Sequence, residues 1–483
     1  MAGSMTVEPP IKVLMLLHDD WRHDSRVIRE ADALSTNGYD VTVLCRRSGL
    51  VEKTDEYKNS VRYCCTPASA TNRIATAKAL YWHFRVATSW LDSYPQERGV
   101  ICRELGWILK ILGLVIAKDI GKLLAKIFSI FLGYEHPVVE KVRDHRAKLL
   151  AIRIEAISFL NFFTVDYLSY VNEFKPQVIH AHDVITLSCA CLAGARAKIP
   201  VIYDAHELHP HTNYALHKRT YEMIERYERM LLPRCAKTIT VSSAIAQWMR
   251  DAYQIPLPAL VMNTPDLSSP RGPSKKTDLR DTLKIDRDTG LAVYVGSVTI
   301  DRGLEKCLDA MALLPGVHFA CVGPRYKVVA DKLIARAARL GITERVHFID
   351  PVPSEEVVSY IQTASCSLIT IQNTCLSYYY CFPNKLLESV FARVPVVAAN
   401  LVEMSRFVER FEVGVVVDET DAAAISRGIQ KVLETHETFR VSTETLELVA
   451  HEFGWNTQAS ALQLLYNQLG LNDDLDATTE KQV

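Results

Sequence analysis

Several short stretches of this chain carry residues that can grip a charged, hydroxyl-rich ligand. The first is Phe382-Pro383-Asn384-Lys385-Leu386-Leu387-Glu388, followed by Val394-Pro395-Val396-Val397-Ala398-Ala399. Pro383 stops what precedes it, Asn384 is a competent N-cap, and a helix begins at Lys385. The run from Val394 to Ala399 is apolar enough for a parallel strand buried on both faces. A helix N-terminus beside such a strand offers free backbone N–H groups and the positive end of a dipole, which together suit a phosphate. Glu388, one turn in, can accept hydrogen bonds from two vicinal hydroxyls such as a ribose diol. On these residues alone, an ordinary capped helix feeding a core strand is the competing reading.

Two histidine-acid clusters lie upstream. Val178-Ile179-His180-Ala181-His182-Asp183 places its polar residues after an apolar strand. In open α/β sheets that edge faces the ligand crevice. Alternation puts His180 and His182 on one side, where imidazole can hydrogen-bond a sugar hydroxyl or a phosphate; a buried, hydrogen-bonded histidine pair is the alternative. No third ligand stands at a zinc-like spacing, so no metal is expected. Tyr203-Asp204-Ala205-His206-Glu207-Leu208 also follows a strand, with solvated loop charge as the alternative for Asp204 and Glu207.

The stretch Val295-Gly296-Ser297-Val298-Thr299-Ile300-Asp301-Arg302-Gly303-Leu304-Glu305-Lys306 puts a glycine directly after a strand, where backbone can approach a ligand closely. Arg302 can fork onto diphosphate oxygens. Lys306 lies one turn into the next helix, where it is a second cation or a plain surface lysine. At the first helix, Asp24-Ser25-Arg26-Val27 lets Arg26 meet an acceptor phosphate or carboxylate, or stand solvated in a capping-box variant. Further strand ends fall at Cys321-Val322-Gly323-Pro324 and within Arg345 to Pro353, which includes Val352.

The elements that must position these residues alternate between strand and helix. Ile11–Leu17, a helix over about Ser25 to Asn37 closed by Gly38, and Val41–Leu44 make a βαβ start, which predicts a parallel sheet. Strands resume near Val178–His180, Val201–Tyr203 and Thr238–Val241. A second series runs through Leu291–Val295, Val317–Val322, Val346–Ile349, Cys366–Thr370, Val394–Ala398 and Val415–Val417, followed by two helices, the last from about Trp455 to Leu469. Residues 268–276 read as a linker, and 471–483 as a polar, disordered tail.

With 483 residues the chain is too long for one core, and two α/β domains are expected. Its 48% hydrophobic and 23% charged content is that of a globular protein. A net charge of -1 provides no field to attract nucleic acid. The 12 cysteines are scattered without a CxxC pair, which fits a reducing cytoplasm. No secretory signal is read at the start. Residues 75–170 carry almost no strand signal. There, Trp107 to Ala117 and Ile127 to Leu132 are strongly apolar, and Lys118, Lys122 and Lys126 form one stripe on a helix. Charges at Lys110, Lys118, Asp119, Lys122 and Lys126 interrupt the run too often for a membrane span. The pattern fits a helix lying in a membrane interface over about 105–135, or a hairpin packed on its own domain or on a second copy in a homo-oligomer.

The asparagine-lysine loop and its strand, preceded in order by HAHD and YDAHEL, resemble the retaining glycosyltransferases with the GT-B fold, family 4 (glycosyl transferases group 1). The resemblance covers roughly 11–65 and 175–470. It implies two Rossmann-like, doubly wound parallel-sheet domains facing a cleft. Residues 1–265 would form an acceptor domain with a helical insertion over 75–170. Residues 266–450 would form the nucleotide-sugar domain, and a helix at 451–470 would return to the first. It further implies transfer of a sugar from a UDP- or GDP-linked donor to a glycan or lipid-linked acceptor with retained configuration, in bacterial polysaccharide or glycolipid synthesis. This would occur in the cytoplasm or peripherally on the membrane's cytoplasmic face, with neither cofactor nor metal, since no Asp-x-Asp motif is present. By the same resemblance His182, Asp183 and Arg302 are catalytic. Gly296, Arg302, Lys306, Val352, Asn384, Lys385, Leu386 and Glu388 bind the donor, and Arg26, His180, His206 and Glu207 meet the acceptor.

Two positions depart from the family pattern. An arginine usually follows the glycine directly, and here Ser297 stands there, while Arg302-Gly303 takes the place of a lysine-glycine. A glutamate usually precedes the one at Glu388 by eight residues, and here that position is Tyr380; Asn373 or main-chain amides are the replacements to consider. These departures keep two alternatives open: a non-hydrolysing nucleotide-sugar epimerase, whose acid/base set would be limited to Asp183 and Glu207, and a non-catalytic scaffold subunit.

Overall fold

The structure, a computed structural model, describes residues 9–47, 50, 52–67, 167–213, 218–265, 278–435, 439 and 441–471. The lysine-striped segment 105–135, nearly all of the insertion 75–170, the linker 268–276 and the tail beyond 471 lie outside the described residues. The chain divides into two compact units. One comprises Met1–Asp24, Ala31–Asp204 and Tyr214–Lys237, the other Ser25–Glu30, Ala205–Asn213 and Thr238–Val483.

The first sheet has eight strands: β1 (Lys12–Leu16), β2 (Asp40–Arg47), β3 (Thr54–Lys58), β4 (Val61–Pro67), β5 (Val178–His182), β6 (Val201–Ala205), β7 (Lys237–Thr240) and β8 (Ala259–Leu260). Their order is β3-β4-β2-β1-β5-β6-β7-β8. Strand β1 pairs parallel with both β2 and β5, as the βαβ start requires. Strand β3 runs antiparallel to β4, closing on it through Asn59 and Ser60 at φ 49° and 66°. Two successive left-handed residues make the kind of turn that matches strand twist in a hairpin. This hairpin was not expected, because Thr-Asp-Glu-Tyr-Lys carries no apolar alternation and its edge faces water.

The second sheet has six strands: β9 (Leu291–Val295), β10 (His318–Val322), β11 (Val346–Ile349), β12 (Cys366–Ile369), β13 (Val396–Ala399) and β14 (Gly414–Val417). The order is β11-β10-β9-β12-β13-β14, parallel throughout. Numbered within the sheet this is 3-2-1-4-5-6, the doubly wound order, with its switch point between β9 and β12. Alternation along β9 sends Leu291, Val293 and Val295 into one core layer with Leu386 and Val390. Ala292 and Tyr294 enter the other, with Leu304 and Leu308. The site residues of this sheet therefore hang on strands packed on both faces.

Beyond β14 the described residues hold three helices, not the expected two: Ala422–Glu434, Thr443–Phe453 and Trp455–Asn467. Gly454 separates the last two, since a side chain there would strike the Ala450 carbonyl. No helix among the described residues is long and apolar enough to cross a membrane.

Candidate functional site

The loops after β9 and β12 flank the switch point of the six-stranded sheet, and both carry residues singled out above. Gly296 adopts φ 125°, and a Cβ on it would lie 3.2 Å from the Lys385 ammonium nitrogen. The glycine therefore leaves room for a lysine that arrives from a different element. Gly303, at φ 72°, passes so close to Thr370 that only a bare Cα fits. The Thr370 hydroxyl donates to the Arg302 carbonyl at 3.0 Å, tying the arginine's backbone to the end of β12.

Lys385 comes from the helix Asn384–Phe391. Its N-cap is Pro383, at φ -78° and ψ 140°, and no side chain caps the first turn. The expectation of Asn384 as N-cap is corrected by one position. Proline's fixed φ and lack of an N–H suit it to the flanking place, so Asn384 becomes the first helical residue and is exposed. The Leu386 N–H donates to the Pro383 carbonyl at 2.9 Å, and the uncapped turn leaves the Asn384 and Lys385 N–H groups for a ligand.

Two cations meet here without a carboxylate partner. The Arg302 guanidinium lies 5.0 Å from the Tyr378 ring centroid. The Lys385 ammonium lies 3.9 Å from the Tyr294 ring centroid. The Tyr294 hydroxyl donates to the Ser297 carbonyl at 2.8 Å, fixing that ring. Among the described residues neither Arg302 nor Lys385 forms an ion pair. Lys385 is half-buried. Burial, then the Arg302 charge, pulls Lys385 down to about 7, against the opposing pull of Glu388. Burial pushes Glu388 above the usual carboxylate range, with Lys385 and then Arg29 pulling it back. Burial also pushes the Cys381 thiol up to about 12, so it stays neutral beside the two cations.

Gly296, Arg302, Lys385 and Glu388 are thus brought together. Lys306 sits half-buried in the first turn of Leu304–Ala312 and forms no ion pair among the described residues. The Val352 side chain packs on the core layer that contains Leu386, and Leu386 itself is buried. Tyr380 stands where the sugar-binding acid is usual, and its hydroxyl forms no hydrogen bond among the described residues. Its carbonyl accepts from Ser242 at 2.7 Å, and its ring tilts against Tyr379. The Asn373 backbone N–H donates to the Glu419 carboxylate at 3.4 Å. The sequence reading missed Tyr294 and Tyr378. Tyr378 lies in the run Ser377-Tyr378-Tyr379-Tyr380, which was noted for the acid it lacks and not for the ring faces it offers.

The other unit holds the histidine cluster. His180 and His182 lie within β5, which runs further than expected, and both are fully buried. Their rings stack at 4.4 Å between centroids, as alternation predicted. Asp204 ends up within β6, opposite His182 in register and also buried; the solvated reading of this aspartate is overturned because the strand carries it inward. Its carboxylate lies 3.4 Å from His182 Nδ1. Ligand atoms of His180, His182 and Asp204 lie within 4.8 Å of one another, a spacing that could hold a metal ion. Asp183 follows at φ 59°, half-exposed, a left-handed backbone of the kind found at functional turns.

His206 and Glu207 are half-buried just past β6. The Glu207 carboxylate lies 3.7 Å from His209 Nδ1, and its charge is felt at Tyr378. Arg26 is not solvated. Its guanidinium meets Glu30 at 2.9 Å, one helical turn on, with both side chains buried.

Residues 275–444 match the family described as glycosyl transferases group 1, and residues 130–262 match Glycosyltransferase Family 4. A D-inositol 3-phosphate glycosyltransferase from Corynebacterium glutamicum is 25% identical over 335 residues, covering 66% of this chain and 78% of that protein. Among solved structures, sucrose-phosphate synthase from Thermosynechococcus elongatus aligns at TM-score 0.62 and 16% identity, over 95% of this chain and 99% of the other. HepE of Anabaena, in complex with UDP, aligns at TM-score 0.59 and 14% identity, over 95% and 100%. At such identities the structural likeness is one of fold.

Proposed function

We propose, from the premise that this chain belongs to the family 4 glycosyltransferases (glycosyl transferases group 1) with the GT-B fold, that Arg302, Lys385 and the first turn of Asn384–Phe391 hold the diphosphate of its donor. The chain is a retaining glycosyltransferase that uses a nucleotide sugar. The observation that supports the assignment is the pair of cations without carboxylate partners beside an uncapped helix N-terminus. A doubly charged diphosphate supplies what that arrangement lacks. Glu388, one turn in, accepts the ribose hydroxyls, and backbone near Val352 lines the base.

The chemistry follows from charge. As the sugar–phosphate bond breaks, negative charge grows on the diphosphate, and fixed cations stabilise it most at that point. A departing phosphate oxygen takes the proton of the acceptor hydroxyl on the same sugar face, and the new glycosidic bond forms there with configuration retained. Asp204 beside Nδ1 fixes the His182 ring, which suits His182 to positioning the transferred sugar; Asp183 stays with it in the catalytic set. His206 and Glu207 remain assigned to the acceptor, while Arg26 and His180, buried against their own neighbours, are withdrawn from it.

Arg302→Ala should lower turnover on the order of a hundredfold, as loss of one oxyanion donor does. Near-normal turnover would remove Arg302 from this role. A thermal-shift panel of UDP, GDP and their sugars identifies the donor, because the ligand that binds the native state raises its apparent stability. A lipid-linked glycan acceptor at the cytoplasmic face is the reading that the apolar, lysine-striped sequence over 105–135 supports. Flotation with anionic liposomes tests it: equal binding by the full chain and by one lacking 105–135 would sink it.

A further inference from the structure

The geometry points to Tyr378 and Tyr294 as positioning residues that hold Arg302 and Lys385 ready for the donor diphosphate by their ring faces, in place of carboxylates. This rests on the donor-site reading above and adds to it a means of keeping both charges unspent. An arginine or lysine is usually steadied by an acid, but an acid placed there would compete with the diphosphate and repel it. An aromatic face attracts the cation through its quadrupole and carries no net charge to compete. The Arg302 guanidinium lies 5.0 Å from the Tyr378 centroid and the Lys385 ammonium 3.9 Å from that of Tyr294.

Both rings are themselves fixed. Tyr294 is fully buried on β9, and its hydroxyl is bound to the Ser297 carbonyl. Tyr378 lies in the short helix Leu376–Tyr379, packed on the core layer of the six-stranded sheet. The charged groups facing this pair are Glu388 on the Lys385 side, and Asp301 and Glu207 on the Tyr378 side. Among the described residues none of the three forms an ion pair with either cation; the Glu388 charge acts on Lys385, and those of Asp301 and Glu207 act on Tyr378. Ser297 fits the same scheme. The usual arginine is absent at that position, and its carbonyl anchors the ring under Lys385 instead.

The test is titration calorimetry on the full chain, with whichever of UDP or GDP binds the unaltered protein, at low salt. Tyr378→Phe keeps the ring face and should bind within about twofold of the unaltered protein. Tyr378→Leu removes the face and should weaken binding about tenfold, equivalent to about 1.4 kcal/mol, within the range of a desolvated cation–π contact. Tyr378→Met gives the same comparison if the leucine variant does not fold. The double variant Arg302→Ala/Tyr378→Leu should bind no more weakly than Arg302→Ala alone, because the tyrosine acts through the arginine. Leucine and methionine variants that bind normally, a phenylalanine variant as weak as leucine, or losses that add in the double variant would overturn the proposal. If Arg302→Ala itself binds normally, the donor-site reading has failed instead.

Discussion

The two polar clusters of this protein solve opposite problems. In the first sheet His180, His182 and Asp204 are fully buried and answer one another, ring against ring and carboxylate against imidazole. In the second, Arg302 and Lys385 stand near each other with aromatic rings beneath them and no carboxylate partner. Burying polar groups is costly unless they are paired, and the first cluster pairs its groups with one another. The second keeps a deficit of negative charge that burial makes costly, as the lowered Lys385 shows. A cluster whose groups pair with one another serves as a fixed support. One that is incomplete attracts a ligand, and the ligand's own charge completes it.

The comparison is broken most directly at Lys385. Lys385→Met preserves much of the stem's packing and removes the charge. Diphosphate affinity should fall on the order of a hundredfold, since a hydrogen bond to a charged group is worth about 1.5–3 kcal/mol. The folded state should lose little, because the lysine is held at a cost. A variant with unchanged affinity and a lower melting temperature would show the reverse: a lysine serving the fold.

Acidity sharpens the same point. Unfolded, this lysine would hold its proton to near 10.5, whereas in the folded protein it releases it near about 7. Between those values the unfolded chain binds the extra proton, so the stability contribution of Lys385 rises with pH across that window and is poorest below about 7. A bound diphosphate favours the charged amine and raises its pKa again. Binding above about pH 7 therefore takes up a proton, and affinity should fall by up to about tenfold per pH unit. Calorimetry in two buffers of different ionisation enthalpy reads the proton count. Lys385→Arg, always charged, should flatten the pH profile; a flat profile in the unaltered protein would remove Lys385 as the linked group.

Gly296→Ala is expected to act next in size. The residue sits at φ 125°, where a side chain is strained whatever the space, and its Cβ would press on the Lys385 ammonium. The strain costs about 1–3 kcal/mol, and the displaced amine should weaken diphosphate binding about tenfold. Loss of stability with affinity intact would mean that the lysine moves aside freely.

These residues differ in how far the sequence disclosed them. Strands β9, β12 and β13 were legible because a strand covered on both faces must be apolar along its length. Gly296, Arg302, Lys385 and Glu388 were legible because each sits at a strand end or first helical turn, where residue type alone suggests the ligand. Tyr294 and Tyr378 were not. A tyrosine in a strand or in a tyrosine run reads as core, and its use depends on which cation the fold lays over it. Strand β3 was hidden by its polar, exposed composition. Arg26 looked available because its partner Glu30 is identified only once the helix turns both inward. His182 and Asp204 were recognised as separate motifs, and the register of β5 against β6 is what joins them.

The smallest expected effect on donor binding comes from that joined pair, and it sharpens the contrast most finely. Asp204→Asn keeps the shape of the side chain and a carbonyl oxygen toward His182, but removes the buried charge. Weakening the contact with His182 Nδ1 should lower unfolding free energy by about 1–2 kcal/mol, read by denaturant titration. Diphosphate affinity should stay within about twofold, because the cations that bind it belong to the other sheet's strands and loops. Turnover, in contrast, should fall more than affinity if His182 needs Asp204 to hold its ring for the sugar. A change in diphosphate affinity as large as that of Lys385→Met would mean that the self-paired cluster also sets the charge balance of the incomplete one, and the division between support and receptor would not hold.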